Sequence, residues 1–586
     1  MHVRSISGFT AGFAAWLTAC LAAGPADAQT PSRYVADFEF LVKTIRERAA
    51  IPKQKGVGFE AVAAAMRPRF AACTDDTTHV RNAMELLAAL KDSHTGITHT
   101  GVTNGLPGKF DGLYGGGLWF CFDRGRWVVR GVMDGHGLAD RLPLGAVLVA
   151  IDGLPAWFAL DRERRRVARF LGISSDHSFW ASLGNRLLPF CDAQTLACRF
   201  GLPDGSRRDL EVPRWGPGGK AFMPRLATFP EGVAHADGAV SKLLETSWSK
   251  QVGWLAITGS MDDATVRAFH AAFDALKGMD ALLLDCRGMG GGGDRAAWEM
   301  CGRLFDAPVA NGSNGRIEPS GSWQFDGPVV MLQDELEVSS AETFTWALAE
   351  TGRVVSVGRN TGGWAIIPNG FDAPSGLFSF RLGVTNRRTP IRGIETEGVG
   401  WPPDCTIPCG PVLCARADSA REVGLAALAC LHAGAKRNDV GAAFHALGDG
   451  DTASFTRFAK ALGSKVKGVG LDDLAKSFDD DLVAEVAMER ALAQRDGGLP
   501  PDAIGLAARA SRTIARAKAA GRADLAKAID AAVNATRAEA EAQRTLLAFD
   551  DPTQAPPDAR KAWLAKHRAT ATAAFVREKL WTESAR

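Results

Sequence analysis

The sequence predicts an α/β protein whose centre is a mostly parallel sheet, and two observations carry that expectation. From about residue 252, short apolar runs of strand length recur at 253–257, 281–285, 329–332, 354–357 and 377–382. Several of the stretches between them have helical period; in 261–276, Val266, Phe269, Phe273 and Leu276 share one face. Strand, helix, strand in that order is the pattern of a sheet with crossover helices.

At 586 residues the chain is too long for one core. Residues 1–28 read as a signal peptide: Arg4 in the n-region, an apolar stretch over 9–23, and Ala26-Asp27-Ala28 before Gln29. Residues 29–103 predict a helical domain. Tyr34, Phe38, Leu41, Val42 and Ile45 fall at helical spacing, and further helices over 59–70 and 80–90 lead into a polar turn, Asp92-Ser93-His94-Thr95. Residues 104–214 change to short strands. They hold the glycine turn Gly115, Gly116, Gly117, a hairpin with an Asp-Arg-Gly tip, the run GAVLVAIDG at 145–153 and a second hairpin around Pro203-Asp204-Gly205. This pattern resembles a PDZ domain, which implies capture of an extended peptide end, with Gly115, Gly116 and Gly117 as peptide-binding backbone. Residues 215–435 hold the α/β core. Residues 436–586 predict a helical C-terminal domain, with Leu471, Leu474, Phe478, Leu482 and Val486 in one stripe and breaks at Pro500-Pro501 and Pro556-Pro557.

Composition narrows the function classes. A formal charge of +2 with no basic block argues against a nucleic-acid partner. No segment after the first reaches the ~18 consecutive apolar residues of a membrane helix. Leu17-Thr18-Ala19-Cys20 offers a second reading as a lipobox, in which a lipid on Cys20 attaches the protein to a membrane. Both readings place the mature protein outside the cytoplasm, and eleven cysteines suit an oxidising compartment. Cys191 and Cys198 are spaced to staple a loop, while Cys405, Cys409 and Cys414 lack the fourth ligand and the tighter spacing of a zinc site. No metal or other cofactor is expected.

The stretch 328–353 concentrates the chemistry. An apolar strand is followed by Ser339 and Ser340, where a helix with Phe344, Ala347 and Leu348 on one side begins. One reading makes Ser339 a helix cap, in a capping box with Glu342. The other makes it a nucleophile on a strand-to-helix turn, where the helix N-terminus and the next N–H favour developing negative charge.

Four separated motifs bear on that choice: Asp92-Ser93-His94-Thr95, the run Leu284-Asp285-Cys286-Arg287-Gly288-Met289-Gly290-Gly291-Gly292, Ser339-Ser340-Ala341-Glu342, and a loop from Glu397 to Asp404. In this order they resemble the tail-specific (C-terminal-processing) and tricorn-type serine proteases over roughly residues 33–430. The resemblance implies a crotonase/ClpP-like protease core. The Ser–Lys branch of that family carries a lysine in the turn after the nucleophile, where this chain has Trp364, and no lysine occurs between Val329 and Gly400. The tricorn-like branch uses a Ser-His pair and a glutamate, both present here. The resemblance therefore implies Ser339 as nucleophile, His94 as general base, Ser93 orienting the base or its acidic partner, and Glu397 completing the relay. The oxyanion hole falls to the N–H of Ser340 with Gly291 or Gly292. The function expected is an exported serine endopeptidase acting on a peptide or protein substrate; the oligomeric state stays open. The alternatives are a catalytically silent peptide- or ligand-binding protein on the same fold, and a purely structural Ser339.

Overall fold

A computed structural model describes residues 30–50, 55–102, 106, 118–123, 125–132, 137–183, 193–214, 229–312, 315–416 and 418–582. The signal segment 1–28 with Cys20, the peptide-binding turn Gly115, Gly116 and Gly117, and Cys191 lie outside the described residues. The chain forms two compact units.

The first unit comprises the chain up to Gly108 together with Arg169–Gly172 and Pro368–Thr385. Its helices are Thr30–Arg48, Phe59–Ala71 and Asp76–Ala88. The last is started by Asp75, whose carboxylate accepts the Thr78 N–H at 2.8 Å. A strand that the sequence pattern missed, Gly96–Thr100, pairs antiparallel with Phe378–Asn386, which also borders Ile366–Asp372. Phe38, Leu41, Phe70, Val80 and Leu87 meet Phe378 and Phe380 in one core. Beside them His79 bonds Asp37 at 2.8 Å, and Asp37 also accepts the Ser375 hydroxyl and N–H.

The second unit contains the predicted α/β core. Its six-stranded sheet runs, in spatial order, Cys405–Thr406, Val355–Gly358, Val329–Gln333, Ala281–Asp285, Val252–Ile257 and Ala239–Leu244. All neighbours are parallel except the last pair. Alternating side chains of each strand point to opposite faces. Leu255, Leu282, Leu284 and Met331 join Phe269, Phe273 and Phe344 of the helices on one face. Trp254, Leu283, Val330, Leu332 and Val357 join Val423, Ala427 and Leu428 on the other. Burial on both faces accounts for the continuous apolar runs in the sequence.

A second sheet holds Leu118–Asp123, Arg126–Val132, Val147–Ile151, Thr195–Gly201 and Arg207–Pro213. The same stretch carries two helices, Ala156–Ala168 and Asp176–Leu183, that its β pattern did not announce. Cys121 is disulfide-bonded to Cys409. The C-terminal helices pack against these elements. Leu471, Leu474 and Phe478 complete one face of the core sheet, and Leu482 and Val486 pack among later helices. Buried ion pairs accompany this packing. Arg126 donates to Glu489 at 2.8 Å and to the Cys409 carbonyl at 2.7 Å, and Arg512 donates to both carboxylate oxygens of Asp123 at 2.8 and 2.5 Å. Burial alone would raise the Asp123 pKa, but Arg512, Arg126 and Arg359 outweigh it and hold the group well below the usual carboxylate range.

Beneath the glycine run, Arg287 is fully buried between Asp285 and Asp418, with 2.7–2.9 Å bonds to both. Asp418→Ala leaves that guanidinium short of a partner in a dry site, and should cost about 3–5 kcal/mol of stability, read as a shift in the denaturant midpoint of the core.

Candidate active site

The strand Val329–Gln333 ends at the sheet's carboxyl edge, and the chain reverses over residues 334–339 before entering the helix Ser340–Glu350. The reversal is tight because buried groups hold it from inside. Asp334 accepts the N–H groups of Gly288 and Leu336, each at 3.0 Å. Glu337 accepts the Asp334 N–H at 3.0 Å and the Thr345 hydroxyl at 2.7 Å. Burial pushes Asp334 up to about 6 and raises Glu337 well above its ordinary value.

Ser339 sits at the apex with φ 60° and ψ −124°. A side chain disfavours this region of backbone space, and a serine held there marks a position the surroundings over-determine. A serine displayed on such a sharp strand-to-helix turn has the form of a nucleophile elbow. The capping-box arrangement with Glu342 that the sequence suggests is present. The Glu342 N–H also goes to the Ser339 carbonyl at 3.0 Å, and the Ser339 N–H donates to the Glu342 carboxylate at 3.3 Å.

The glycine run lies against this apex. A Cβ on Gly291 would stand 2.6 Å from Ser339 Cβ and 3.2 Å from its Oγ, so only glycine permits the approach. A Cβ on Gly292 would strike the Met261 carbonyl. The Ser340 hydroxyl donates to the Gly292 carbonyl at 2.8 Å, tying the run to the helix start. The N–H groups of Ser340, Gly291 and Gly292 take no acceptor among the described residues. Unused donors beside a helix N-terminus are what an oxyanion requires.

Glu342, which the sequence casts only as a capping partner, is buried and accepts three more bonds from one turn. The Thr361 hydroxyl donates at 2.5 Å, the Gly363 N–H at 3.0 Å and the Trp364 N–H at 2.7 Å. Trp364 thus takes part through its backbone N–H. Glu397 is also buried and accepts the Ala365 and Ile366 N–H groups at 2.7 and 3.2 Å. Burial raises Glu342 to about 7, and Glu397 nearby adds to that.

Ser339, Ser340, Gly291, Gly292 and Glu397 are thus carried by the second unit, and Ser93 and His94 by the first. There the Asp92 carboxylate shapes the turn, accepting the His94 N–H at 3.0 Å and the Thr95 hydroxyl at 2.5 Å. Thr95 Oγ in turn accepts the Gly383 N–H at 2.9 Å. Burial raises the Asp92 pKa against those two bonds. A cavity of about 890 Å³ in the second unit, lined among others by Phe122, Trp127, Trp157, Trp180, Glu335 and Arg359, includes none of Ser339, Ser340, Gly291 and Gly292. Among the described residues no cluster of His, Cys, Asp and Glu is arranged to hold a metal. Cys409 is in its disulfide, and burial pushes the Cys414 thiol up to about 11.

The sheet order, the elbow and the glycine run against it agree with what comparison with known proteins finds. Residues 251–407 match Peptidase family S41. Over those residues the chain has the core of a serine-type peptidase. Among solved structures, the chain is similar to the photosystem II D1 C-terminal processing protease, at 18% identity over 67% of this chain and 97% of that one, with a TM-score of 0.38. It is also similar to mature CPAF, at 13% identity over 67% and 96% of the two chains and a TM-score of 0.46. The tricorn protease matches at 14% identity over 67% of this chain and 36% of that one, with a TM-score of 0.36.

Two outcomes are expected of this S41 core. Ser339→Gly relieves the backbone strain that Ser339→Ala retains, so the glycine variant should unfold at higher denaturant, by about 1–2 kcal/mol. The folded protein also holds the Glu342 proton more tightly than the unfolded chain does. Its contribution to stability is therefore full below the ordinary carboxylate range and is lost as the pH rises to about 7. Glu342→Gln should flatten the corresponding fall in unfolding free energy, by up to ~3 kcal/mol, in denaturant titrations at acidic and neutral pH.

Proposed function

We propose that this protein is an exported serine endopeptidase that cleaves peptide bonds through an acyl-enzyme on Ser339. The observation that carries the reading is the conformation of Ser339: a strained apex at a helix start, flanked by backbone N–H groups that take no acceptor among the described residues. Serine is a weak nucleophile until a base takes its proton. His94 is that base. Ser93 and Glu397 complete the relay, Ser93 by orienting the base or its acidic partner. The tetrahedral oxyanion is received by the Ser340 N–H and by Gly291 or Gly292, each donor contributing about 3 kcal/mol in the transition state. Protonated His94 then returns its proton to the leaving amine, and water repeats the cycle on the ester.

Export is supported by the signal-like segment 1–28 and by the Cys121–Cys409 disulfide, which persists in oxidising compartments. No described helix is long and apolar enough to cross a membrane. The substrate is a peptide or protein, and processing near a carboxyl terminus is the first activity to assay, as in the processing protease named above. The segment 104–214 serves as a PDZ-like peptide-holding domain in this reading, with Gly115, Gly116 and Gly117 at its binding turn.

A fluorophosphonate probe tests the assignment. Wild-type protein should be labelled and Ser339→Ala should not, while His94→Ala should lower the labelling rate by about ten-thousand-fold. Gly291→Ala should lower it at least about a hundredfold, because the new methyl group displaces the nucleophile. A folded wild type that takes no label supports the silent binding protein instead, and labelling of Ser339→Ala removes Ser339 from the mechanism.

A further inference from the structure

Glu342 lies one helical turn beyond the nucleophile and is sealed from water. An ionised carboxylate offers about four lone-pair positions and no donor. In Glu342 all are used, two on each oxygen. Oε1 takes the Thr361 hydroxyl and the Gly363 N–H; Oε2 takes the Trp364 N–H and the Ser339 N–H. The bond to Ser339 is the longest of the set, at 3.3 Å.

The turn held by these bonds is itself a junction. Thr361 Oγ accepts the Trp401 N–H at 2.7 Å, and the Gly363 carbonyl accepts the Gly398 N–H at 2.9 Å. The Gly362 N–H donates to the Glu337 carbonyl, and the next residues of the same segment supply the two N–H groups that hold Glu397. A single carboxylate therefore joins the backbone of Ser339 to the segment that fixes the Glu397 loop.

We propose that Glu342 is a positioning residue for the nucleophile, and that its ionised form is required to keep the Ser339 elbow and the 361–364 turn in register. A proton on Oε2 faces two N–H donors and evicts the weaker one, that of Ser339. A proton on Oε1 reverses or breaks the Thr361 bond. Either way the tie between the two loops is shortened by one hydrogen bond on protonation. The surrounding ionisable groups reinforce that sensitivity. Glu397 and Glu337 face Glu342 with like charge, and the pair Asp294–Arg387 meets Thr343 in the same helical turn. The His177 ring bonds the Thr361 carbonyl at 2.8 Å, and its burial keeps it neutral by lowering its pKa. Among the described residues no cation is paired with Glu342, and N–H groups and the Thr361 hydroxyl receive its charge.

This inference rests on Ser339 being the nucleophile, and the test separates the two. The rate of fluorophosphonate labelling is measured against pH for wild type, Glu342→Gln, Thr361→Val, Thr361→Ser and Ser339→Ala, each checked for folding by circular dichroism. Wild type should lose labelling below neutrality with two protons, one on His94 and one on Glu342. Glu342→Gln should label about ten- to a hundredfold more slowly and lose one of those protons from its profile. Thr361→Val should fall in the same direction, and Thr361→Ser, which keeps the hydroxyl, should restore the wild-type rate. A folded Glu342→Gln with the wild-type rate and profile overturns the proposal, as does a Thr361→Val that labels like wild type. Should Glu342→Gln not fold, the Thr361 pair decides. Labelling of Ser339→Ala would overturn the nucleophile assignment instead.

Discussion

A carboxylate that has lost its water must find its hydrogen bonds in the chain, and this requirement shapes the S41 core around Ser339. Asp334, Glu337, Glu342 and Glu397 are all buried within the loops at the carboxyl edge of the sheet. Each takes backbone N–H groups of a neighbouring turn, namely Gly288 and Leu336, Asp334, Gly363 and Trp364, and Ala365 and Ile366, and only Asp334 keeps one oxygen, Oδ2, without a partner among the described residues. An unmade bond in such a place costs more than a made one contributes. The loops consequently have few alternative conformations, and Ser339 is held at an angle that no isolated peptide would choose. Strain at the apex is sustained by the hydrogen bonds beneath it.

Much of this was legible in the chain. Continuous apolar runs such as 281–285 announced strands buried on both faces, and the sheet is parallel where they lie. The stretch 328–353 pointed to a serine at a strand-to-helix turn. What could not be read was the backbone angle at Ser339, because a capping box and an elbow share the same spacing of serine and glutamate. Glu342 was legible as an i+3 partner but not as a buried junction, since its other donors are 19 to 22 residues away. The helices Ala156–Ala168 and Asp176–Leu183 were hidden among strands, their charged faces offering no clean period to an eye set for hairpins.

The packing of the C-terminal helices was the least legible part, for a related reason. Their stripes of leucine and phenylalanine look self-sufficient, yet Leu471, Leu474 and Phe478 belong to the core of the catalytic sheet. The polar partners are equally remote in sequence: Arg126 meets Glu489 across 363 residues, and Arg512 meets Asp123 across 389. Buried pairs of this sort contribute little net stability over apolar packing, but losing one partner is costly. They make the helical region a fixed part of the second unit.

The Cys121–Cys409 bridge governs what a cut in the backbone would do to this protein. It spans 288 residues, a stretch that contains Gly291, Gly292, Ser339, Ser340 and Glu397. A single backbone cut anywhere inside that span yields two fragments that remain one covalent molecule until the disulfide is reduced. Nicking there would pass unnoticed on a non-reducing gel, and the machinery on either side of the cut would stay tethered at the concentration of a single chain.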